Sequence, residues 1–201
     1  MRLKTLSKSS RDVPVAQLDS LLQKGLTAQG LQVEEAARAA MLQYIGLLQR
    51  WNKAYNLTSI KDPLEMISYH LLDSLGIPLA VTYPDKTFRL LDSNGKRIRF
   101  LFQIKTALQL HNVKELQARV EEYTPDKRYD GVMSRAFASL TDMIEGSEHL
   151  LAPGGRFYAM KGRYPDKELS DLPKDYKVEQ AIELFVPTLD QQRHLIVIKK
   201  P

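Results

Sequence analysis

Four short stretches carry side chains that could do chemistry at the ends of apolar runs that read as β-strands. Phe88-Arg89-Leu90-Leu91-Asp92 ends in a carboxylate. Open α/β sheets bind ligands at the carboxyl ends of their strands, where an aspartate can accept both hydroxyls of a ribose. Asp92 could equally cap a helix starting near Lys96, a role worth ~1 kcal/mol. Arg119-Val120-Glu121-Glu122 follows the next strand. A backbone amide at Val120 and the Glu121 carboxylate could read the polar edge of an adenine, or form a solvated acidic turn. Tyr129 to Ala136 places Arg135 at the same edge, where it could pair with a carboxylate or phosphate, or be a surface cation. Lys161-Gly162 ends a fourth strand there. A fifth stretch, Trp51-Asn52-Lys53-Ala54-Tyr55-Asn56-Leu57-Thr58, closes a long helix. Its aromatics, amides and lysine suit stacking on unpaired RNA bases, at roughly 1–3 kcal/mol per base. The alternative puts Trp51 in the core and makes Asn56 a helix C-terminal residue.

Several chemistries are excluded or unsupported. There is no cysteine, so no disulfide scaffold, thiolate zinc site or cysteine nucleophile exists. No His-x-x-x-His, Gly-x-Ser-x-Gly, Walker loop or Gly-x-Gly-x-x-Gly occurs. His70, His111, His149 and His194 are far apart in sequence, and no metal is expected. No apolar run approaches the ~20 residues needed to span a bilayer. The N-terminus, MRLKTLSKSSR, is basic and polar, unlike a secretory signal. The chain reads as soluble, with no membrane partner, and cytoplasmic. Its net charge is +5. Residues 1–60 carry eight Lys/Arg against four Asp/Glu, whereas 61–201 carry 21 against 20. An N-terminal excess favours a polyanionic partner there, or is a solubilising charge.

The elements that must position these residues follow from periodicity. At 201 residues the chain fits one domain, or one with a helical extension. Residues 1–14 read as a basic tail and 15–24 as a short amphipathic helix. Apolar positions at 33, 36, 37, 40, 41, 44, 47, 48 and 51 predict five helical turns. Asp62-Pro63-Leu64-Glu65 predicts an N-cap, a proline at the first helical position and a capping-box acid. That helix should run to about Ser74, with Leu64, Ile67, Leu71 and Leu75 inward. Ile77 to Val81 is an apolar run of strand length. Strands are then predicted at 88–92, 115–118, 129–134, 156–160, 176–184 and 194–199, with helices at 96–110 and 140–150. Pro153-Gly154-Gly155 reads as a turn. Strand–helix–strand alternation ending in two late strands predicts an α/β sheet with an antiparallel edge hairpin.

These residues also resemble a known family. WNKAYNLTSI at 51–60, HLLDS at 70–74, LLDSNGKRIRFL at 90–101, RVEE at 119–122, SRAFASL at 134–140, LLAPGGRFYAMKG at 150–162 and RHLIVIKK at 193–200 occur in order. Over nearly the whole chain this resembles the bacterial small-subunit rRNA guanine-N7 methyltransferases, the glucose-inhibited division protein B family. The resemblance implies a class I, Rossmann-like sheet using S-adenosylmethionine. It divides the chain into a helical extension over 1–75 and a methyltransferase domain over 76–201. It also implies methyl transfer to guanine 527 of 16S rRNA in the 30S subunit, a methyl whose loss goes with low-level streptomycin resistance. Carried over by motif, Asp92 would hold the ribose, and Val120 and Glu121 the adenine edge. Arg135 would serve cofactor and active site, with Lys161 and Asn52 as further catalytic candidates. Lys53, Asn56, His70, Lys96 and Arg97 would contact RNA. A monomer is the simplest expectation.

One departure is large. The family pattern places a central strand and a glycine-rich turn between HLLDS and IPLA. Here Ser74-Leu75-Gly76-Ile77-Pro78-Leu79-Ala80 runs straight across. On the order of 20 residues are missing between about 74 and 77, one strand of ~5–6 residues plus loops. Each buried hydrogen bond left unmade costs ~1–3 kcal/mol, so losing a central strand would rival a domain's whole stability. The expectation is therefore that this sequence omits a stretch of the natural protein. If the deletion is real, the alternative function is a non-catalytic rRNA- or ribosome-binding relic.

Overall fold

The computed structural model describes residues 13–74, 76–135 and 137–201. The expected basic tail, up to residue 12, lies outside these residues, as do Leu75 and Ala136. Helix α1 (Val15–Ala28) buries Leu18, Leu22 and Leu26, one face of a 3.6-residue repeat. Helix α2 (Glu35–Tyr55) buries Met41, Tyr44, Ile45, Leu47 and Leu48. It ends where Asn56 adopts a left-handed conformation at φ 50°, a conformation asparagine tolerates better than most residues. Helix α3 (Pro63–Ile67) starts as its sequence predicts, with Asp62 accepting from the Leu64 amide at 2.7 Å.

The continuation differs from expectation. After Ile67 the helix widens into a π-helical turn, Ser68–Leu72, and the Asp73 amide bonds back to Ser68 O at 2.8 Å. Ser68 is buried, and its hydroxyl bonds to Thr188 Oγ1 at 2.6 Å and Pro187 O at 3.0 Å. Such widened turns concentrate at functional sites. The apolar run expected to match a strand in length is instead helix α4 (Gly76–Thr82), with Ile77, Pro78 and Ala80 buried. A proline in the first helical turn lacks only an amide that would have no intrahelical partner.

The alternating part follows as β1 (Phe88–Asp92), α5 (Gly95–Ala107), β2 (Val113–Gln117), a 3₁₀ turn (Val120–Glu122) and β3 (Tyr129–Ser134). Helix α6 (Leu140–Ser147) opens on a reciprocal cap between Ser139 and Asp142, each side chain accepting the other's amide at 3.0 Å. A 3₁₀ turn, Glu148–Leu150, leads into β4 (Leu151–Lys161). The Pro153-Gly154-Gly155 segment lies inside this strand rather than ahead of it. It forms a bulge where pairing jumps from Tyr129–Leu151 to Gly131–Arg156, with Gly154 at φ +73°. Helix α7 (Asp166–Ser170), not read from sequence, precedes β5 (Lys177–Glu183) and β6 (His194–Lys199).

Strand pairing divides in two. β1 and β2 form a parallel pair; the second sheet has the order β3-β4-β6-β5. β3 and β4 are parallel, and β6 is antiparallel to both β4 and β5, which gives the predicted late hairpin with β5 at the edge. The core divides similarly. One cluster joins α1 to α5 with Val113 and Val186; the other joins Leu140, Met143 and Ile144 to Leu151, Phe157, Ile196 and Ile198. The first cluster runs through position 75 without interruption, so the helical extension shares its core with β1, α5 and β2. Among the described residues, no helix is long and apolar enough to cross a membrane.

Candidate functional site

Each parallel strand ends beside a polar or charged residue. Asp92 closes β1, Gln117 closes β2, Arg135 follows β3 and Lys161 closes β4. Helix α5 is capped by Asn94, which accepts the Lys96 amide at 2.9 Å, and not by Asp92. Asp92 Oδ1 accepts the Asn94 amide at 2.8 Å, and Oδ2 accepts from Arg97 Nη1 at 3.2 Å. Arg97 is therefore an ion-pair partner of Asp92, whereas Lys96 is exposed. Val120 and Glu121 lie in the 3₁₀ turn after β2, with Glu121 exposed.

A second group assembles around Asp73, a residue the sequence reading quoted in HLLDS but gave no role. Its carboxylate is 1% exposed and lies 2.9 Å from Arg193 Nε and 3.4 Å from Arg135 Nη2. Arg135 Nη1 also donates to the Asp73 and Tyr69 carbonyls, at 2.5 and 3.3 Å. The C-terminal carbonyls of a helical segment attract a cation, and this arginine sits on two of them. His70 lies nearby, with Nε2 3.1 Å from Thr58 Oγ1. Burial lowers its pKa, and the Arg135 charge lowers it further. The Thr58 amide in turn donates to Asn52 Oδ1 at 2.9 Å, and Asn52 Nδ2 donates to Ile60 O at 3.3 Å.

Residues from three separate motifs therefore meet: Asn52 and Thr58, His70 and Asp73, and Arg135. Arg193 joins them from the start of the last motif. Asn52 is buried and closes the loop after α2. Trp51 packs on Phe100 and Tyr55, with ring centroids 5.8 and 4.9 Å apart. Lys53 and Asn56 are exposed at the end of α2. Lys161 is held elsewhere, by Glu168 at 2.7 Å and Ala138 O at 3.3 Å, while Glu168 also accepts the Leu140 amide. The signal for Asp73 and Arg193 was their place in motifs; the signal for Glu168 was absent, because α7 has no periodic pattern.

The residues present fit part of S-adenosylmethionine. Asp92 keeps a spare lone pair on each oxygen for a ribose, and the turn after β2 offers the Val120 amide and Glu121 for an adenine. In an open sheet the ligand crevice lies where strand order reverses, here between β1 and β3. Among the described residues, no strand joins β1 to β3 and no turn leaves such a strand. The part of the cofactor beyond the ribose therefore has no cradle comparable to the one offered to its nucleoside.

Comparison with known proteins agrees with this architecture. The family model "GidB: rRNA small subunit methyltransferase G" matches residues 37–75 and 76–196, in two pieces that meet at Leu75–Gly76. "Ribosomal RNA small subunit methyltransferase G" of Idiomarina loihiensis is 47% identical over 199 residues, covering 88% of this chain and 97% of the relative. The protein of that name from Pectobacterium carotovorum is 46% identical over 204 residues, covering 90% of this chain and 97% of the relative. Since 88% of 201 residues is about 177, about 22 of the 199 aligned positions have no residue of this chain. Among solved structures, TrmN from Thermus thermophilus superposes with a TM-score of 0.51 at 18% identity, over 76% of this chain and 53% of that one. That likeness concerns the fold, an α/β methyltransferase sheet. With the family model matched over most of its length, this chain belongs to the rRNA small subunit methyltransferase G family, whose methyl donor is S-adenosylmethionine.

Proposed function

We propose that the reaction is methyl transfer to N7 of guanine 527 in the 16S rRNA of the 30S subunit, carried out by a cytoplasmic monomer. The convergence of Asn52, His70, Asp73 and Arg135 at the end of β3 carries this reading. Guanine N7 has a free lone pair and no proton, so its attack on a sulfonium methyl requires no general base. A neutral, hydrogen-bonded His70 and an arginine already bound to carbonyls suit positioning better than proton transfer. Alignment of nucleophile, methyl and leaving group can lower a barrier by ~7–11 kcal/mol. The bound cofactor would supply the electrophilic methyl. The chain's own residues would orient the base and tolerate charge moving onto it. Lys53, Asn56 and Lys96, exposed on the helical face and at α5, are placed to contact RNA phosphates or bases.

The test is Arg135→Ala, assayed by transfer of labelled methyl to 30S subunits lacking the modification and by mapping the modified base. We expect turnover to fall at least ~100-fold while the melting temperature moves little, because the arginine is nearly half exposed. Near-normal methylation by the variant would refute the assignment. Should the intact chain fail to methylate while still binding 30S subunits with strong salt dependence, the non-catalytic rRNA-binding alternative would replace it.

A further inference from the structure

We infer that this chain holds an open strand position between β1 and β3, and that its occupant is the stretch of about 22 residues which its relatives carry between the counterparts of Leu75 and Gly76. The inference rests on the proposed function only in its consequence for the cofactor.

Backbone pairing gives the first argument. β1 pairs with β2 alone and β3 with β4 alone, so each has one side without a neighbouring strand among the described residues. The Phe88 amide donates to Asn112 O at 2.8 Å, which directs it toward β2. Successive residues of a strand point their backbone groups to opposite sides. The amides of Leu90 and Asp92 therefore face β2, and those of Arg89 and Leu91 face the open side.

Burial gives the second. Parallel strands in α/β sheets are covered on both faces. Every residue of β1 is only half-buried, and in β3 Asp130, Gly131 and Met133 are exposed. By contrast, His194, Ile196, Val197 and Ile198 of β6 are buried. Two strands that should be central have the exposure of edges, and the hydrophobic core parts between them.

Connectivity gives the third. β1 reaches its parallel neighbour through α5, and β3 reaches its own through α6, as parallel pairing requires a crossover. Helix α4 leads into β1 in the same way but follows no strand. A strand placed ahead of α4 would complete a third crossover and would fall where the sheet's order reverses. The family match breaks one residue before α4, and about 22 positions suffice for one strand of ~5–6 residues with turns at each end. The occupant is thus fixed in length, in its place along the chain and in its parallel direction.

The experiment compares the full chain with a version carrying the Idiomarina segment between Leu75 and Gly76. Amide hydrogen exchange is followed at Arg89, Leu90 and Leu91, and S-adenosylmethionine binding is measured by calorimetry. In the chain as it stands, Arg89 and Leu91 should exchange at least about 100-fold faster than Leu90. Insertion should remove that difference and tighten cofactor binding by about 100-fold or more. If the inserted protein fails to fold, the segment is added as a synthetic peptide, with a two-proline version as control. The same two amides should then become protected by the first peptide only. Arg89 and Leu91 already as protected as Leu90 in the present chain would overturn the inference. So would exchange unchanged by both insertion and peptide. Protection gained without cofactor binding would uphold the strand position and sink the methyltransferase reading instead.

Discussion

Asp73→Ala tests the ion cluster that ties β3's end and β6's start to the π-helical turn. The carboxylate is almost wholly buried and faces two guanidinium groups, Arg193 at 2.9 Å and Arg135 at 3.4 Å. Its removal strands Arg193, whose side chain is only 12% exposed, beside another cation. Breaking a buried pair by deleting one partner costs ~3–5 kcal/mol. Arg135 contributes little to this figure, because half-exposed pairs are screened to below ~1 kcal/mol. A loss of about 3 kcal/mol should lower the melting temperature by roughly 6–12 °C in a chain of this size. The assay is circular dichroism of thermal unfolding, with Arg193→Leu and the double variant completing a cycle. Because both single changes break the same pair, the double variant should be more stable than additivity predicts by ~2 kcal/mol. A drop under about 3 °C for Asp73→Ala, with additive effects in the cycle, would show that Asp73 does not organise these arginines.

Two further perturbations probe the same region. Gly25→Ala would place a Cβ 2.2 Å from Leu72 Cδ1, at a packed contact between α1 and the π-helical turn. Denaturant unfolding should show a loss of ~1–3 kcal/mol, and an unchanged midpoint would mean that Leu72 has room to move. For His70 the folded protein favours the neutral ring, through burial and then the Arg135 charge. A base with a depressed pKa contributes stability above its ordinary value of about 6.5, and that contribution is lost as pH falls below it. Stability should therefore decline between about pH 7 and pH 5, and His70→Asn should flatten that decline. A parallel decline in both proteins would assign the pH dependence to other groups.

What the sequence revealed depended on how local the cause was. β1 and β3 match their expected bounds, because a short apolar run bounded by charge and turns sufficed. Asp62 is the cap its spacing implied. Asp92 was read as ligand holder or helix cap, and the cap proved to be Asn94, two residues on, a shift that turn chemistry decides and strand periodicity does not. The helix through HLLDS broke early because Ser68 bonds to Pro187 and Thr188, some 120 residues away. Pro153-Gly154-Gly155 supplied the expected positive φ, but its setting is a bulge inside a strand, since pairing with β3 extends past it. Asp73 went unassigned for the same reason as Ser68: its partners, Arg135 and Arg193, are 62 and 120 residues distant.

The two halves of the molecule meet through groups near segment ends, not through strand pairing. Arg135 and Arg193 hold Asp73 at one end, Val186 enters the first core from the loop before β6, and Tyr123 bonds to the Tyr129 hydroxyl at 2.8 Å. Such ties can fix relative position, yet they leave the backbone groups of two strand edges without the ladder that makes a parallel sheet cooperative. The motif residues and the fold's stability therefore fall under different constraints. Asn52, His70 and Arg135 assemble through the π-helical turn, which precedes the missing stretch, and can be in place without it. A cradle for the cofactor beyond its nucleoside depends on the strand position itself. That separation accounts for a chain in which every quoted motif is present while the sheet that should unite them is split.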